Sequence, residues 1–318
     1  MMNIGLVVDA TCDLPREFLS QHSVAVLPGR LRFGDRWFTD RREPRETMEF
    51  YRRYIADRSV ERATGPAGAD PLREFFMERL VTRFDRVLVL CRAAEQGGSF
   101  DAATQASYGL LSQYRRIRTQ AGLDPAFVLR VVKAGSAGPG EAVAAHLAVR
   151  RLSDNPPFDA LRREVEDAGR RTVAWLVPQD PVYLRGPAPS DAPVRGRGWR
   201  QLAQRVNGKL PVIELQRGEG RTAGSARTFE HGVEQVFGEA RKAAEQGLAE
   251  PALVMSFGGD PRIIRNLPAY QAFEGFAADR RLDLQLSVMS ATLAAHVGPG
   301  SFAAAWIPAA GGPAAGSA

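Results

Sequence analysis

Ile4-Gly5-Leu6-Val7-Val8-Asp9-Ala10-Thr11-Cys12-Asp13-Leu14-Pro15 is the stretch whose reading decides the fold class. Its first five residues are an apolar run bounded by an aspartate, the pattern of a buried strand. The polar residues that follow make a turn. A helix is expected from Leu14-Pro15, because a first helical turn leaves unpaired the N–H that proline lacks. The same order recurs downstream. Residues 24–27 read as a strand, and residues 47–56 as an amphipathic helix with Met48, Tyr51, Tyr54 and Ile55 on its apolar side. After a loop over 58–70, residues 71–84 read as helix and 86–91 as strand. Gln96-Gly97-Gly98-Ser99 then leads into a long helix towards Ile117. Residues 127–132 read as strand, and the loop 135–140 opens a helix to Arg151. This alternation implies an α/β protein with a mostly parallel sheet flanked by helices in its N-terminal domain.

Asn155-Pro156-Pro157 is the expected domain boundary, since the prolines stop the preceding helix and stiffen the connection. Residues 1–155 form the first domain and residues 156–308 a second α/β domain, with a frayed Gly/Ala/Pro-rich tail at 309–318. In the second half, strands are expected at 172–177, 211–215, 252–257, 284–289 and 302–307. Helices are expected at 158–169, 226–246 and 261–279, and 186–198 reads as a Pro/Gly/Arg-rich excursion.

Composition narrows the function classes. The formal charge is +6, but the cations are scattered, and only Lys133, Lys209 and Lys242 are lysines. Nucleic-acid binding wants a concentrated patch or a known motif, and neither is present. Two widely spaced cysteines, Cys12 and Cys91, suggest neither a disulfide framework nor a zinc site. No stretch approaches the roughly 20 apolar residues of a membrane span, and the N-terminus lacks a secretory signal. A cytoplasmic protein without metal or cofactor is expected.

Four loops fall where a parallel sheet binds ligands, beyond the carboxyl ends of strands: 9–13, 92–99, 134–140 and 257–261. In Gly97-Gly98-Ser99 the glycines let backbone N–H groups approach a ligand, Ser99 can cap the helix, and the helix dipole favours an anion. Arg62-Ala63-Thr64-Gly65-Pro66 reads as a connector between helices that offers one hydroxyl. His296-Val297-Gly298-Pro299-Gly300 reads as a tight, backbone-exposed turn before an apolar strand. Its imidazole titrates near neutral pH and can donate to a carboxylate or phosphate. Cys12, at a helix entrance, is either a stabilised thiolate or a small buried side chain. The chain contains no G-x-S-x-G elbow, no phosphate-binding G-x-x-x-x-G-K-[ST] and no H-E-x-x-H.

Taken in order, these segments resemble the DegV family of bacterial fatty-acid-binding proteins. Val8-Asp9-Ala10-Thr11-Cys12-Asp13-Leu14-Pro15 is similar to the family's V-x-D-S-T-x-D-L-P. Phe33-Gly34-Asp35 to Asp40 and Glu49-Phe50-Tyr51 fit its next stretch, and Thr64-Gly65-Pro66 falls at its T-S-x-P. Gly98-Ser99-Phe100-Asp101-Ala102-Ala103 falls at S-G-T-Y-x-S-A, and His296 to Gly300 is similar to the terminal H-T-G-P-G. The resemblance implies two α/β domains around a buried acyl chain, no catalysis by the chain itself, and presentation of the ligand carboxylate to a separate kinase subunit. It implies head-group contacts at Thr64, Gly97, Gly98, Ser99, Arg227 and His296.

The chain also departs from that pattern. Gly97 stands for a serine, Ala93 and Ala94 for a pair of serines, and Ala10 for the first serine of the opening motif. Ala134-Gly135-Ser136 stands where an aspartate-serine pair is usual. These positions fall on the expected ligand loops, so an altered ligand is one expectation. The alternatives are a regulatory or interaction protein that has lost its lipid, and a phosphoryl- or acyl-transfer enzyme using Cys12 or His296.

Overall fold

A computed structural model of the chain describes residues 3–55, 60–92, 98–185, 208–216 and 219–310. The N-terminal part runs β1 (Ile4–Asp9), α1 (Arg16–Gln21), β2 (Ala25–Leu27), β3 (Gly29–Phe33), β4 (Arg36–Asp40) and α2 (Pro44–Phe50). Helix α2 continues as a π-helical turn, Tyr51–Ile55. Then come β5 (Arg62–Pro66), α3 (Ala69–Arg79), β6 (Arg86–Cys91), α4 (Ser99–Gly109), α5 (Tyr114–Gln120), β7 (Val128–Lys133) and α6 (Pro139–Leu152). Strands β2-β1-β6-β7 form an all-parallel sheet in that order. Its central strands are apolar on both faces, as a sheet covered by helices on both sides requires: Val7, Val8, Val87, Leu88, Val89 and Leu90 are all fully buried.

The second part runs α7 (Phe158–Arg171), β8 (Val173–Val177), a 3₁₀ turn (Pro181–Arg185), β9 (Leu210–Gln216), β10 (Glu219–Ala226) and α8 (Phe229–Gln246). It continues with β11 (Ala252–Phe257), α9 (Arg262–Arg265), α10 (Pro268–Arg280), β12 (Asp283–Val288), α11 (Ala291–Val297) and β13 (Phe302–Trp306). Its sheet has the order β10-β9-β8-β13-β11-β12 and is mixed; only β11 and β12 pair in parallel. Helix α6 packs against strands of both sheets. It is buried from Pro139 to Ala148, and the largest core cluster runs through it, joining Leu6 and Val8 to Leu176 and Ala303.

Three expectations need correction. The loop expected over 58–70 contains β5. It pairs antiparallel with β3, which also pairs with β4, making a three-stranded sheet β4-β3-β5. A ladder partner far along the chain supplies the hydrogen bonds that the local Thr-Gly-Pro composition does not promise. The long helix towards Ile117 is two helices, interrupted after Gly109. The turn expected at His296 is the last turn of a helix, α11, whose every residue is buried. Gly97 and the excursion at 186–198 lie outside the described residues. No helix among the described residues is long and apolar enough to cross a membrane.

Candidate functional site

Helix α11 has only seven residues, too few to be stable alone, so its neighbours hold it. Ser290 caps it by accepting from the Leu293 N–H at 3.1 Å. Two carboxylates from the N-terminal part occupy its positive end. Asp13 Oδ1 accepts from Ser290 N at 2.8 Å, and Asp40 Oδ2 accepts from Thr292 N at 3.0 Å and Thr292 Oγ1 at 2.9 Å. Arg42 lies 3.2 Å from Asp13 and donates to the Val288 carbonyl at 3.0 Å. Tyr51 donates to the Met289 carbonyl at 3.1 Å. Burial pushes the Asp13 carboxyl up, and the Arg42 charge opposes that shift. The charge-assisted bonds to the helix end are the compensation a buried carboxylate needs.

Anchored in this way, α11 turns one face towards the three-stranded sheet. Thr292 and His296 are four residues apart and therefore neighbours on that face. His296 Nε2 lies 2.8 Å from Oγ1 of Thr64 on β5, a hydrogen bond whose donor is set by the imidazole tautomer. Thr64 pairs across the sheet with Leu31 on β3, and Leu31 with Phe38 on β4. Directly paired residues point to the same face, so Thr64, Leu31 and Phe38 form a row, polar at the histidine end and apolar beyond it.

Two recesses flank this row. A crevice of about 290 Å³, counted to its mouth, is bordered by Asp9, Gly29, Arg92, Ser99 and Thr292, with Gly65 and Pro66 beside Thr64. The free space inside it holds little more than a water molecule. A groove of about 950 Å³, counted to its open mouth, is lined by Leu31, Phe38, Phe50, Tyr54 and Ala291. Trp37, Glu43, Glu46 and Glu49 also line it.

The opening motif builds the wall of the crevice. Asp9 Oδ1 accepts from Thr11 N at 2.7 Å and lies 2.5 Å from Thr11 Oγ1. Glu141 Oε1 accepts from Asp9 N at 3.0 Å, and Glu141 Oε2 lies 3.0 Å from Thr11 Oγ1. Full burial, reinforced by the Asp9 charge, pushes the Glu141 carboxyl well up, which favours a neutral acid sharing hydrogen bonds with Asp9 and Thr11. Ala10, at the position of the missing serine, faces Gly29; a Cβ on that glycine would meet the Ala10 Cβ at 3.0 Å. Cys12 is fully buried, and desolvation followed by the Glu141 charge raises its thiol well above the ordinary range. The stabilised-thiolate reading of Cys12 is therefore wrong, because the nucleophile would be the thiolate.

The structure thus brings Thr64 and His296 into contact and sets Ser99 on the crevice beside them. Gly98, not Ser99, is the N-cap of α4, and no side chain caps that helix. Arg227 is not among the residues described around the crevice. It is exposed, just past β10, the edge strand of the second sheet. Gly97 lies outside the described residues. Thr292 was not anticipated, although its spacing of four from His296 was readable once a helix is granted.

Fold and site together define a three-sheet α/β protein in which loops at the carboxyl ends of parallel strands meet a C-terminal histidine helix. The chain belongs to the DegV family: the model described as "Uncharacterised protein, DegV family" matches residues 3–309. A DegV domain-containing protein of Xanthomonas axonopodis pv. citri is 32% identical over 308 residues, 95% of this chain and 96% of that protein. A fatty-acid-binding DegV family protein from Thermus thermophilus superposes with a TM-score of 0.72 at 21% identity, covering 96% of this chain and 100% of that one. A stearic-acid-binding protein from Eubacterium ventriosum superposes with a TM-score of 0.73 at 20% identity, covering 97% and 98%. At these identities the two structural likenesses show the fold.

Proposed function

We propose that this chain holds a fatty acid or related acyl ligand and presents its carboxylate to a separate fatty acid kinase subunit, without transforming the ligand itself. The carboxylate sits at the crevice between Ser99, Thr292, Thr64 and His296. The acyl chain follows the Thr64–Leu31–Phe38 row into the groove. The observation that carries this reading is the Thr64–His296 contact at the polar end of an apolar row. Electrostatics supports the polarity. The groove mouth carries Glu43, Glu46 and Glu49 beside Arg41, with Glu43 and Glu49 paired to Arg16 and Arg53, so it has no net pull on a carboxylate, while the other end offers hydroxyls and an imidazole that can donate to one. Family relatives bind fatty acids by name, and the buried, protonated Cys12 is unfit for covalent catalysis.

The test is a titration of the purified protein with saturated fatty acids of increasing length. Each added methylene that enters the groove contributes about 0.8 kcal/mol, roughly fourfold in Kd, until the groove is full. Binding that is absent, or independent of chain length, overturns the reading. The hand-over is tested by adding a fatty acid kinase and ATP to the loaded protein and following acyl phosphate. The narrowness of the crevice favours one second reading, a regulator that has given up its lipid. That reading requires no shift of Tm with any acyl chain.

A further inference from the structure

We propose that the Asp9–Thr11–Glu141 group makes acyl binding proton-coupled, with a proton taken up for each carboxylate that enters the crevice; this rests on the acyl-binding reading above. The proton count follows from geometry. The Thr11 hydroxyl has a single proton and lies between two carboxyl oxygens, 2.5 Å from Asp9 Oδ1 and 3.0 Å from Glu141 Oε2. It can donate to only one of them. The shorter contact is to Asp9, which also accepts from Thr11 N at 2.7 Å and from Arg92 N at 3.3 Å. Glu141 Oε2 must then carry a proton of its own and donate it to Thr11 Oγ1. Burial of Glu141 favours the same neutral state. Glu141, Thr11 and Asp9 thus form one directed chain, and the negative charge of the carboxyl pair rests on Asp9.

Asp9 is the end of that chain that meets the ligand, because it borders the crevice. The free space there holds little more than a water molecule, so a carboxylate beside Ser99 and Thr292 comes close to Asp9. The surrounding charges do not absorb another negative one. Arg92 borders the crevice with Asp9. Arg42 serves both Asp13, at 3.2 Å from its guanidinium, and Asp40, which accepts from its backbone N–H at 3.0 Å. Three carboxylates, Asp9, Asp13 and Asp40, thus stand against two guanidinium groups, Arg92 and Arg42, an excess of one negative charge. Arg62 donates to the Ala295 carbonyl at 3.4 Å and is not among the residues lining the crevice. Burial raises the Cys12 and Cys91 thiols, which add no compensating charge. Like charges sharing one small buried site drive a proton onto one of them. That proton belongs to the group of carboxyls, the ligand included. His296 is the competing acceptor, and the experiment separates it from the carboxyls.

Calorimetric titration of the full chain with a saturated fatty acid, below its micelle concentration and in two buffers of different ionisation heat, counts the protons. About one per bound acid is expected, and none for the methyl ester, which brings no charge. Because the proton enters with the acid, affinity should fall as pH rises. The fall reaches about tenfold per pH unit where the free carboxyls lack the proton and the bound ones keep it. Asp9→Asn removes the resident charge and should abolish both the uptake and the pH dependence. No uptake by the wild type, equal uptake with the ester, or uptake that persists in Asp9→Asn overturns the inference; the last outcome puts the proton on His296. A second measurement uses the wild type alone. Infrared difference spectra with and without the acid should gain the C=O stretch of a protonated carboxyl. A ¹³C label on the ligand carboxyl displaces that band if the ligand holds the proton and leaves it in place if the protein does. Either position supports the inference, and no new acid band overturns it. A wild-type protein that binds neither acid nor ester fails the acyl-binding reading itself, and the inference falls with it.

Discussion

His296 Nε2 and Thr64 Oγ1 are 2.8 Å apart although 232 residues separate them. The bond ties the last helix of the chain to a strand of the three-stranded sheet, so it reports on both stability and ligand affinity. His296→Ala and Thr64→Val should each destabilise the protein by about 1–3 kcal/mol, the cost of stranding a buried partner. The double variant should fall short of the sum by about 0.5–1.5 kcal/mol. Urea unfolding of the four proteins measures this cycle, and strict additivity would contradict the bond.

Gly298→Ala meets two obstacles, a backbone φ of +86° and the Tyr183 ring 2.6 Å from the new Cβ. A cost of about 1–3 kcal/mol from the backbone alone is expected. Thermal melts of the variant and the wild type measure the loss.

Arg227→Ala should leave fatty-acid affinity and stability within about 0.5 kcal/mol of wild type, as for most exposed positions. The residue is exposed beyond the edge strand β10. A tenfold loss of affinity would restore it to the head-group site.

His146 on α6 places Nδ1 2.9 Å from Glu250 and Nε2 2.8 Å from Asp283, both carboxylates of the second half. Arg150 shares Glu250 at 2.8–3.0 Å. Burial works against the charged ring, but the hydrogen bonds and charges of Asp283 and Glu250 outweigh it and raise the pKa to about 9. A raised pKa stabilises the folded state fully below the unfolded value of 6.5, and that contribution is lost as pH rises through about 9. The expected loss between pH 6.5 and 9.5 is about 2–3 kcal/mol, the lower figure allowing for screening at the half-exposed Asp283. His146→Gln should flatten this part of the stability profile, measured by urea unfolding across the pH range.

Much was legible in the chain itself. The apolar runs at Ile4–Asp9 and Arg86–Cys91 announce a buried parallel sheet, because strands covered on both faces must be apolar throughout, while Val128–Lys133 at the sheet edge leaves Arg130 exposed. The order of motifs placed Thr64, Ser99 and His296 among the candidates, and the structure puts them around one crevice or in contact. Two short elements were not legible. Arg62–Pro66 carries glycine and proline and no alternation, so only its ladder to β3 makes it a strand. Ala291–Val297 is buried on every side, Thr292 and His296 included, so no exposed polar face marks a helical period. Its Ser290 cap and Gly298 stop were readable only as weak signals.

The residue types at the site, and the departures at Ala10 and Gly97, were determined by the sequence alone, since no fold can restore a missing hydroxyl. Tertiary structure decided which of those residues meet. Thr64 reaches His296 because Asp13 and Asp40 anchor α11 across the three-stranded sheet, while Arg227 is carried to an edge. Contacts between residues hundreds of positions apart depend on the packing of sheets and helices, which no local pattern encodes.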